Sequence, residues 1–342
     1  MLFSATLLAE DARLVVSVQP ANNALKSNVE GYIGNLGERD VEALQRLRRV
    51  VESQAEKAAQ ALGYYHAQIS TEVVGQTPPR LNVRIVPGEP VRLGNVTVRV
   101  DGPASQMRAF QLPKDAQLTQ GARLDHGRYE AAKRHIQNQA SRYGFFHGRF
   151  TQQSLRINPQ AGLADIELVY DSGPRYSLGH VSFEGDMPFD DELLQRMVPF
   201  PANTPYDSER IAELYQALRS SGYFESVRVD ASPTVAEQQV IPVNVHLQTR
   251  LPRTMGLGLG FSTDVGPRGR IQWERHWANP QGHSYGAEME LSAPRQNVGL
   301  WYDIPGDPPM TDKLRIAGGY QYEELANTCL LYTSPSPRDQ RG

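Results

Sequence analysis

Three times along the chain a stripe of apolar residues at helical spacing runs into a glycine followed by two aromatics. The stripes are Val51, Ala55, Ala58, Leu62; then Tyr129, Ala132, Ile136, Ala140; then Ile211, Leu214, Tyr215, Leu218. Each predicts a helix with one buried face. The junctions read Leu62-Gly63-Tyr64-Tyr65, Tyr143-Gly144-Phe145-Phe146 and Ser221-Gly222-Tyr223-Phe224, with their glycines 81 and 78 residues apart. A glycine just past a helix end takes the left-handed conformation at little cost, so Gly63, Gly144 and Gly222 are expected at positive φ. Tyr64, Phe145 and Tyr223 should then open a strand, one ring of each pair covering the helix end.

After each junction the period changes from helical to two. Ala67, Ile69, Thr71 and Val73 alternate with polar residues, and Gln76-Thr77-Pro78-Pro79 turns the chain into Leu81, Val83, Ile85. The second copy runs 150 to 157, turns at Asn158-Pro159 and returns through Ile166, Leu168, Tyr170; the third pairs Val227 and Val229 with Val243, Val245, Leu247. A strand also opens each copy, at 14–18, 91–100 and 176–183, and Gly88 and Gly173 begin matching openings 85 residues apart. Each unit therefore reads strand, helical region, helix, strand, strand, enough to bury a small core against one sheet face. The implied boundaries are 13–88, 89–173 and 174–252.

From Met255 the helical stripes stop. Leu257, Leu259, Phe261 alternate with glycines; Ile271, Trp273, Trp277 with Arg270, Gln272, Glu274, His276; Tyr285, Ala287, Met289, Leu291 with Gly286, Glu288, Glu290. Val298, Leu300, Tyr302, Ile304 and Leu314, Ile316, Tyr320, Tyr322 continue the pattern. Turns are expected at Gly266-Pro267-Arg268, Asn279-Pro280-Gln281-Gly282, Pro294-Arg295-Gln296 and Gly306-Asp307-Pro308-Pro309. These are about five antiparallel strands of roughly 8 to 11 residues, the length a tilted membrane strand needs. A soluble sandwich gives the same alternation; the charged inner face, with Arg270, Glu274, Glu288 and Glu290, suits a water-filled lumen better than a core. Five strands leave two open edges, so a curved meander is expected rather than a closed barrel.

Composition adds exclusions. At 342 residues, length alone suggests about two domains. A formal charge of −3 gives no basic field for nucleic acid. One cysteine excludes a disulfide framework and a cysteine metal site. The histidines lack metal spacing, and Gly256-Leu-Gly258-Leu-Gly260 is followed by no helix, so neither metal nor nucleotide is expected. No catalytic constellation is present, and the chain reads as a non-enzyme without cofactor. Asp190-Asp191-Glu192 and Asp207-Ser208-Glu209 read as acids at helix starts. Residues 1–12 read either as a secretory-signal remnant or as a plain strand. Residues 329–342 break every earlier pattern and resemble translated adapter read-through, a non-native tail on a chain cut short.

Gly258-Leu-Gly-Phe-Ser-Thr-Asp-Val-Gly-Pro-Arg268, Trp273, Trp277, Gly282-His283-Ser284 and Ser292-Ala293-Pro294 together resemble the first membrane hairpins of the TamA family. This family belongs to the POTRA-plus-barrel superfamily that includes BamA. Ala61-Leu-Gly-Tyr-Tyr65, Arg175-Tyr-Ser-Leu-Gly-His-Val-Ser-Phe-Glu-Gly185 and Val198-Pro-Phe200 carry the likeness upstream, over about residues 13 to 328. It implies three POTRA domains, each β-α-α-β-β, and the N-terminal part of an outer-membrane β-barrel at 253–328. The implied function is translocation and assembly of autotransporters and barrel proteins. The implied surroundings are a TamB-like periplasmic partner, unfolded outer-membrane clients and outer-membrane lipid, with the repeats in the periplasm. Other readings are a BamA-like general insertase and a non-catalytic POTRA adaptor. In POTRA order the second strand of the first repeat lies at a sheet edge. Gln68, Ile69, Ser70, Thr71 and Glu72 are thus the expected partner-binding residues, with Ile69 and Val73 inward, Gln68, Ser70 and Glu72 outward, and Ser70 the expected place to interrupt the free row.

Overall fold

The computed structural model describes residues 11–75, 78–114, 118–262, 266–325 and 328–339. The first repeat runs β1 (Arg13–Val18), α1 (Asn23–Ile33), α2 (Val41–Ala61), β2 (Gln68–Val74) and β3 (Arg80–Val86). Its sheet has the order β1-β3-β2, with β3 parallel to β1 and antiparallel to β2. Leu25 and Val29 of α1, Leu44, Val51, Ala55 and Ala58 of α2, and Leu81, Val83 and Ile85 of β3 make one core. Asn22 and Asp40 cap the two helices by accepting backbone N–H bonds from Leu25 and Ala43.

The second repeat has β4 (Arg92–Asp101), α3 (His126–Arg142), β5 (Arg149–Asn158) and β6 (Leu163–Asp171), in the order β4-β6-β5. Only one of its two expected helices forms among the described residues. A single 3-10 turn, Pro103–Gln106, stands where the first was expected. The following stretch carries Pro113, whose missing N–H and ring would break a helix interior. The third repeat restores both helices: β7 (Ser177–Glu184), α4 (Asp191–Arg196), the two-residue β8 (Thr204–Pro205), α5 (Ser208–Ser220), β9 (Phe224–Asp230) and β10 (Val240–Thr249). The sheet order is β8-β7-β10-β9. Asp207 caps α5 through the Glu209 N–H, and Asp191 and Glu192 sit in the first turn of α4, as acids at helix starts should.

A six-stranded antiparallel meander follows: β11 (Arg253–Ser262), β12 (Gly266–Arg275), β13 (Ser284–Ser292), β14 (Arg295–Pro305), β15 (Lys313–Leu325) and β16 (Thr328–Asp339). Its end strands β11 and β16 do not pair with each other, so the sheet is open. The sixth strand lies almost wholly in the segment whose sequence reads as a non-native tail; its backbone ladders onto β15 from Leu325↔Thr328 to Leu314↔Asp339. Pro335 and Pro337 are tolerated there because an edge strand has one row of N–H groups outside the ladder. Two expected details differ. Gly266, at φ 72, pairs with Ser262 and closes the first hairpin, so Pro267 and Arg268 lie inside β12 rather than in a turn. Trp277 leaves the outer row altogether, because β12 ends at Arg275.

By contact density the chain falls into two compact units. One holds the residues to Ala140 with His147–Gly173; the other holds Ser141–Phe146 with the residues from Pro174 onward.

Candidate functional site

The three glycines have φ of 86, 80 and 78, each just after its helix. At the first, a second constraint joins the conformational one. The Gly63 carbonyl accepts from the Val91 N–H at 2.9 Å, and the Val91 carbonyl accepts from Leu124 at 2.9 Å. A Cβ on Gly63 would lie 2.6 Å from the Leu124 carbonyl oxygen. The next three residues complete the joint within the first unit. The Tyr64 hydroxyl takes Asn22 Nδ2 at 2.9 Å and lies 3.3 Å from Arg123 Nη1; Tyr65 Oη is 2.7 Å from His126 Nε2; His66 Nε2 is 2.8 Å from the Pro159 carbonyl. In the second unit Gly144 repeats the relay: its carbonyl accepts from Tyr176, whose own accepts from Tyr206, both at 2.9 Å. A Cβ on Gly144 would meet Tyr206 Cβ at 2.6 Å. Phe146 packs edge-on against Tyr176 and Tyr206 there, and the Arg175 guanidinium lies 5.9 Å from the Phe145 ring centre.

Gly222 has the same conformation but an open face, with nothing within 4 Å of a Cβ position. Tyr223 instead anchors the meander. Its hydroxyl donates to the Gly282 carbonyl at 2.7 Å in a buried bond. Around it Asp190 donates its N–H to Pro280 at 3.0 Å, Arg196 Nη1 donates to Gly306 at 3.1 Å, and Trp277 packs edge-on against Phe189 at 5.7 Å. The turns 276–283 and 306–312 thus sit on the third repeat, while the visible hairpin turn at the far end spans only 293–294. Burial pushes the Tyr223 hydroxyl up to about 12, with Asp303 raising it further and Arg196 opposing.

The expected partner edge is an edge. Among the described residues β2 pairs only with β3, and Gln68, Ser70 and Glu72 point their side chains to solvent while Ile69 and Val73 are half-buried. Backbone parity changes which groups are free. Arg13 donates to the Pro79 carbonyl and Gln19 to the Ile85 carbonyl, both at 2.9 Å, so the odd-numbered groups around β3 turn toward β1. The even ones turn toward β2, where Arg84 opposes Ser70, Asn82 opposes Glu72 and Val86 opposes Gln68. In an antiparallel pair, opposed residues that exchange both bonds alternate with residues that exchange none. Gln68, Ser70 and Glu72 therefore spend their backbone groups in the ladder. Ile69, Thr71 and Val73 present theirs outward, which corrects the placing of Ser70 in the free row.

One free group is already occupied. Arg48 of α2 donates through Nη2 to the Thr71 carbonyl at 2.8 Å and through Nε to Thr71 Oγ1 at 3.0 Å. The Thr71 hydroxyl in turn donates to Glu52 at 2.6 Å, and Thr71 is 6% exposed. A sequence signal for this clamp existed: Arg48 and Glu52 fall at helical spacing within the buried stripe of Leu44, Val51 and Ala55, where a charge needs a partner.

In the meander the register sets two faces. Met255, Leu257, Leu259 and Phe261 stand with Ile271, Trp273, Tyr285, Met289, Leu300 and Tyr302 on one side. Arg270 and Glu288, 3.0 Å apart, and Asp303 with Arg315, 2.6 Å apart, stand on the other. The apolar side is uncovered: Leu257 is 72% exposed, Leu259 96% and Phe261 77%. No helix among the described residues is long and apolar enough to cross a membrane. No cluster that could hold a metal occurs among them either.

Known proteins match this arrangement piecewise. The family model "POTRA domain TamA domain 1" matches residues 15–87, and "Surface antigen variable number repeat", a POTRA model, matches residues 176–250. The chain is 22% identical over 191 residues to the outer membrane protein assembly factor BamA of Neisseria meningitidis serogroup B, covering 56% of this chain and 24% of that protein. It thus spans about a quarter of the length of that curated relative. Among solved structures, BamA from Haemophilus ducreyi lacking POTRA domains 1-3 superposes with a TM-score of 0.54 at 14% identity, over 71% of this chain and 45% of that one. The architecture is therefore POTRA repeats followed by a sheet resembling part of an outer-membrane barrel. Its homologues are outer-membrane assembly factors of the BamA kind.

Proposed function

We propose that this chain is the periplasmic arm and first membrane strands of a TamA-like translocation and assembly factor. Its first repeat receives an extended segment of a TamB-like periplasmic partner, and its sheet stands in outer-membrane lipid to serve unfolded barrel or autotransporter clients. The observation that carries the reading is the uncovered apolar face of the meander, opposite a charged face and joined to POTRA repeats. Burying that face in water would need another protein surface; hydrocarbon covers it without one. The TamA-domain match over residues 15–87, the repeat that carries the β2 edge, supports the TamA reading over a general BamA-like insertase.

Fractionation tests the membrane half: the full chain should need detergent, whereas residues 11–252 should stay soluble. A monomeric full chain in plain buffer rejects it. The partner half is tested by Val73→Pro, which removes one N–H from the free row without touching the ladder. Partner pull-down should fall sharply while circular dichroism stays native, and unchanged capture by a folded variant rejects pairing at β2. Ser70→Pro is the contrasting control, because it breaks a ladder bond and destabilises the repeat itself.

A further inference from the structure

Where the third repeat meets the meander, three arginines surround one cavity. Arg219 lies in the last turn of α5, Arg250 follows β10 and Arg253 begins β11. With Gly222, Glu225 and Leu251 they line a space of about 520 Å³. Only one carboxylate, Glu225, belongs to that lining. Among the described residues none of the three guanidinium groups makes a hydrogen bond or an ion pair, unlike Arg270 and Arg315 on the inner face. Unpaired cations lining one cavity repel one another, so an arrangement that keeps them suits an anion.

The height of the cavity identifies the kind of anion. Arg253 shares its side of the sheet with Met255, Leu257, Leu259 and Phe261, and it opposes Arg275. Arg275 opposes Tyr285, and Tyr285 opposes Tyr302. Trp273, Tyr285 and Tyr302 pack in series, with ring centres 5.5 and 6.2 Å apart, and Arg275 lies 5.9 Å from the Tyr285 ring centre. A row of Arg and Tyr bounding an exposed apolar band marks the level of lipid headgroups. Leu251, 77% exposed beside the cavity, adds an apolar contact at that level.

We propose that Arg219, Arg250 and Arg253 bind the phosphate of an anionic phospholipid in the leaflet facing the repeats, its acyl chains lying along the Met255-to-Phe261 row. The inference rests on the membrane reading of the meander. Guanidinium groups are fork-like donors suited to phosphate oxygens, all three line the one cavity, and Gly222, lacking a side chain, leaves room for the headgroup.

Flotation of the full chain with vesicles tests this. Vesicles of phosphatidylcholine alone and with phosphatidylglycerol added are compared at low salt. The wild type should prefer the anionic vesicles by about tenfold. Arg219→Gln/Arg250→Gln/Arg253→Gln should lose that preference and keep its binding to phosphatidylcholine. Arg219→Gln alone, at an exposed helix end, should lose about half of the preference on a logarithmic scale. A folded triple variant that still prefers phosphatidylglycerol overturns the proposal. So does a wild type that binds both vesicle types equally, even where inorganic phosphate at matched ionic strength binds it in an arginine-dependent way, which would mark a site for a free anion. Absence of binding to both vesicle types would defeat the membrane reading itself, so the two failures are distinguishable.

Discussion

Gly63 and Gly222 end their helices in nearly the same conformation, at φ 86 and 78, yet one is pressed against its neighbour and the other faces open space. The local requirement is identical: a chain leaving a helix into a strand needs a left-handed residue. The tertiary requirement differs because a further repeat follows Gly63 and an open antiparallel meander follows Gly222. Leu124 occupies the space over the first glycine, while the anchoring at the third passes to Tyr223 and the turns of the meander. One short motif therefore carries two layers of constraint, and only the helix-ending layer is common to all copies.

Substitution separates the layers. Gly63→Val should cost about 3 kcal/mol or more, since it adds backbone strain to a clash with the Leu124 carbonyl. Gly144→Val should behave alike through Tyr206. Gly222→Val should cost about 1 kcal/mol, the conformational part alone. Thermal or urea unfolding of the three variants checks the order, and equal losses at Gly63 and Gly222 would remove the distinction drawn between them.

The anchoring at Tyr223 gives the next effect. Tyr223→Phe leaves the Gly282 carbonyl buried without its donor and should cost about 1 to 2 kcal/mol. The native bond also carries a pH signature. The Tyr223 hydroxyl titrates at about 12 in the fold against an ordinary 10, so its contribution is fully present below pH 10 and is lost as pH rises through 12. Wild-type protein should lose stability over that alkaline window more steeply than Tyr223→Phe. Parallel slopes would mean that another group governs the loss.

These contrasts also show which parts of the molecule were legible beforehand. Helix ends, strand periods and the two faces of the meander follow from residue types at fixed spacing, and the register agrees with them from Met255↔Trp273 through Leu300↔Gly318. What lay beyond reach depends on partners distant in sequence. The row of free groups on β2 is decided by which way β3 turns toward β1, so Ser70 could not be assigned to the ladder from its own strand. Trp277 continues the period of β12 in sequence, but packing against Phe189 takes it off the sheet. That no first α-helix forms among the described residues of the second repeat is readable in part, because Pro113 interrupts its segment. The arginines at 219, 250 and 253 look like scattered solvated charges until the fold gathers them around one cavity.

The smallest effect concerns the polar bonds that distinguish the first joint from the aromatic packing around Gly144. His126, whose Nε2 meets the Tyr65 hydroxyl at 2.7 Å, is held below the usual histidine range by burial, with Asp125 and Glu130 pulling the other way. A depressed histidine binds its proton more readily in the unfolded chain. Its contribution is therefore present above about pH 6.5, the unfolded value, and is lost as pH falls through the lower folded one. Acidification should thus loosen the Tyr65–His126 contact before the core of the first repeat unfolds. Hydrogen exchange at Tyr64, Tyr65 and Val91, measured on either side of that window, should speed up on the acid side in the wild type. His126→Gln keeps a group able to bond the Tyr65 hydroxyl but has no proton to gain, so its exchange there should lose the extra acid response once intrinsic rates are corrected. The same acid response in both proteins would show that the joint does not sense this histidine.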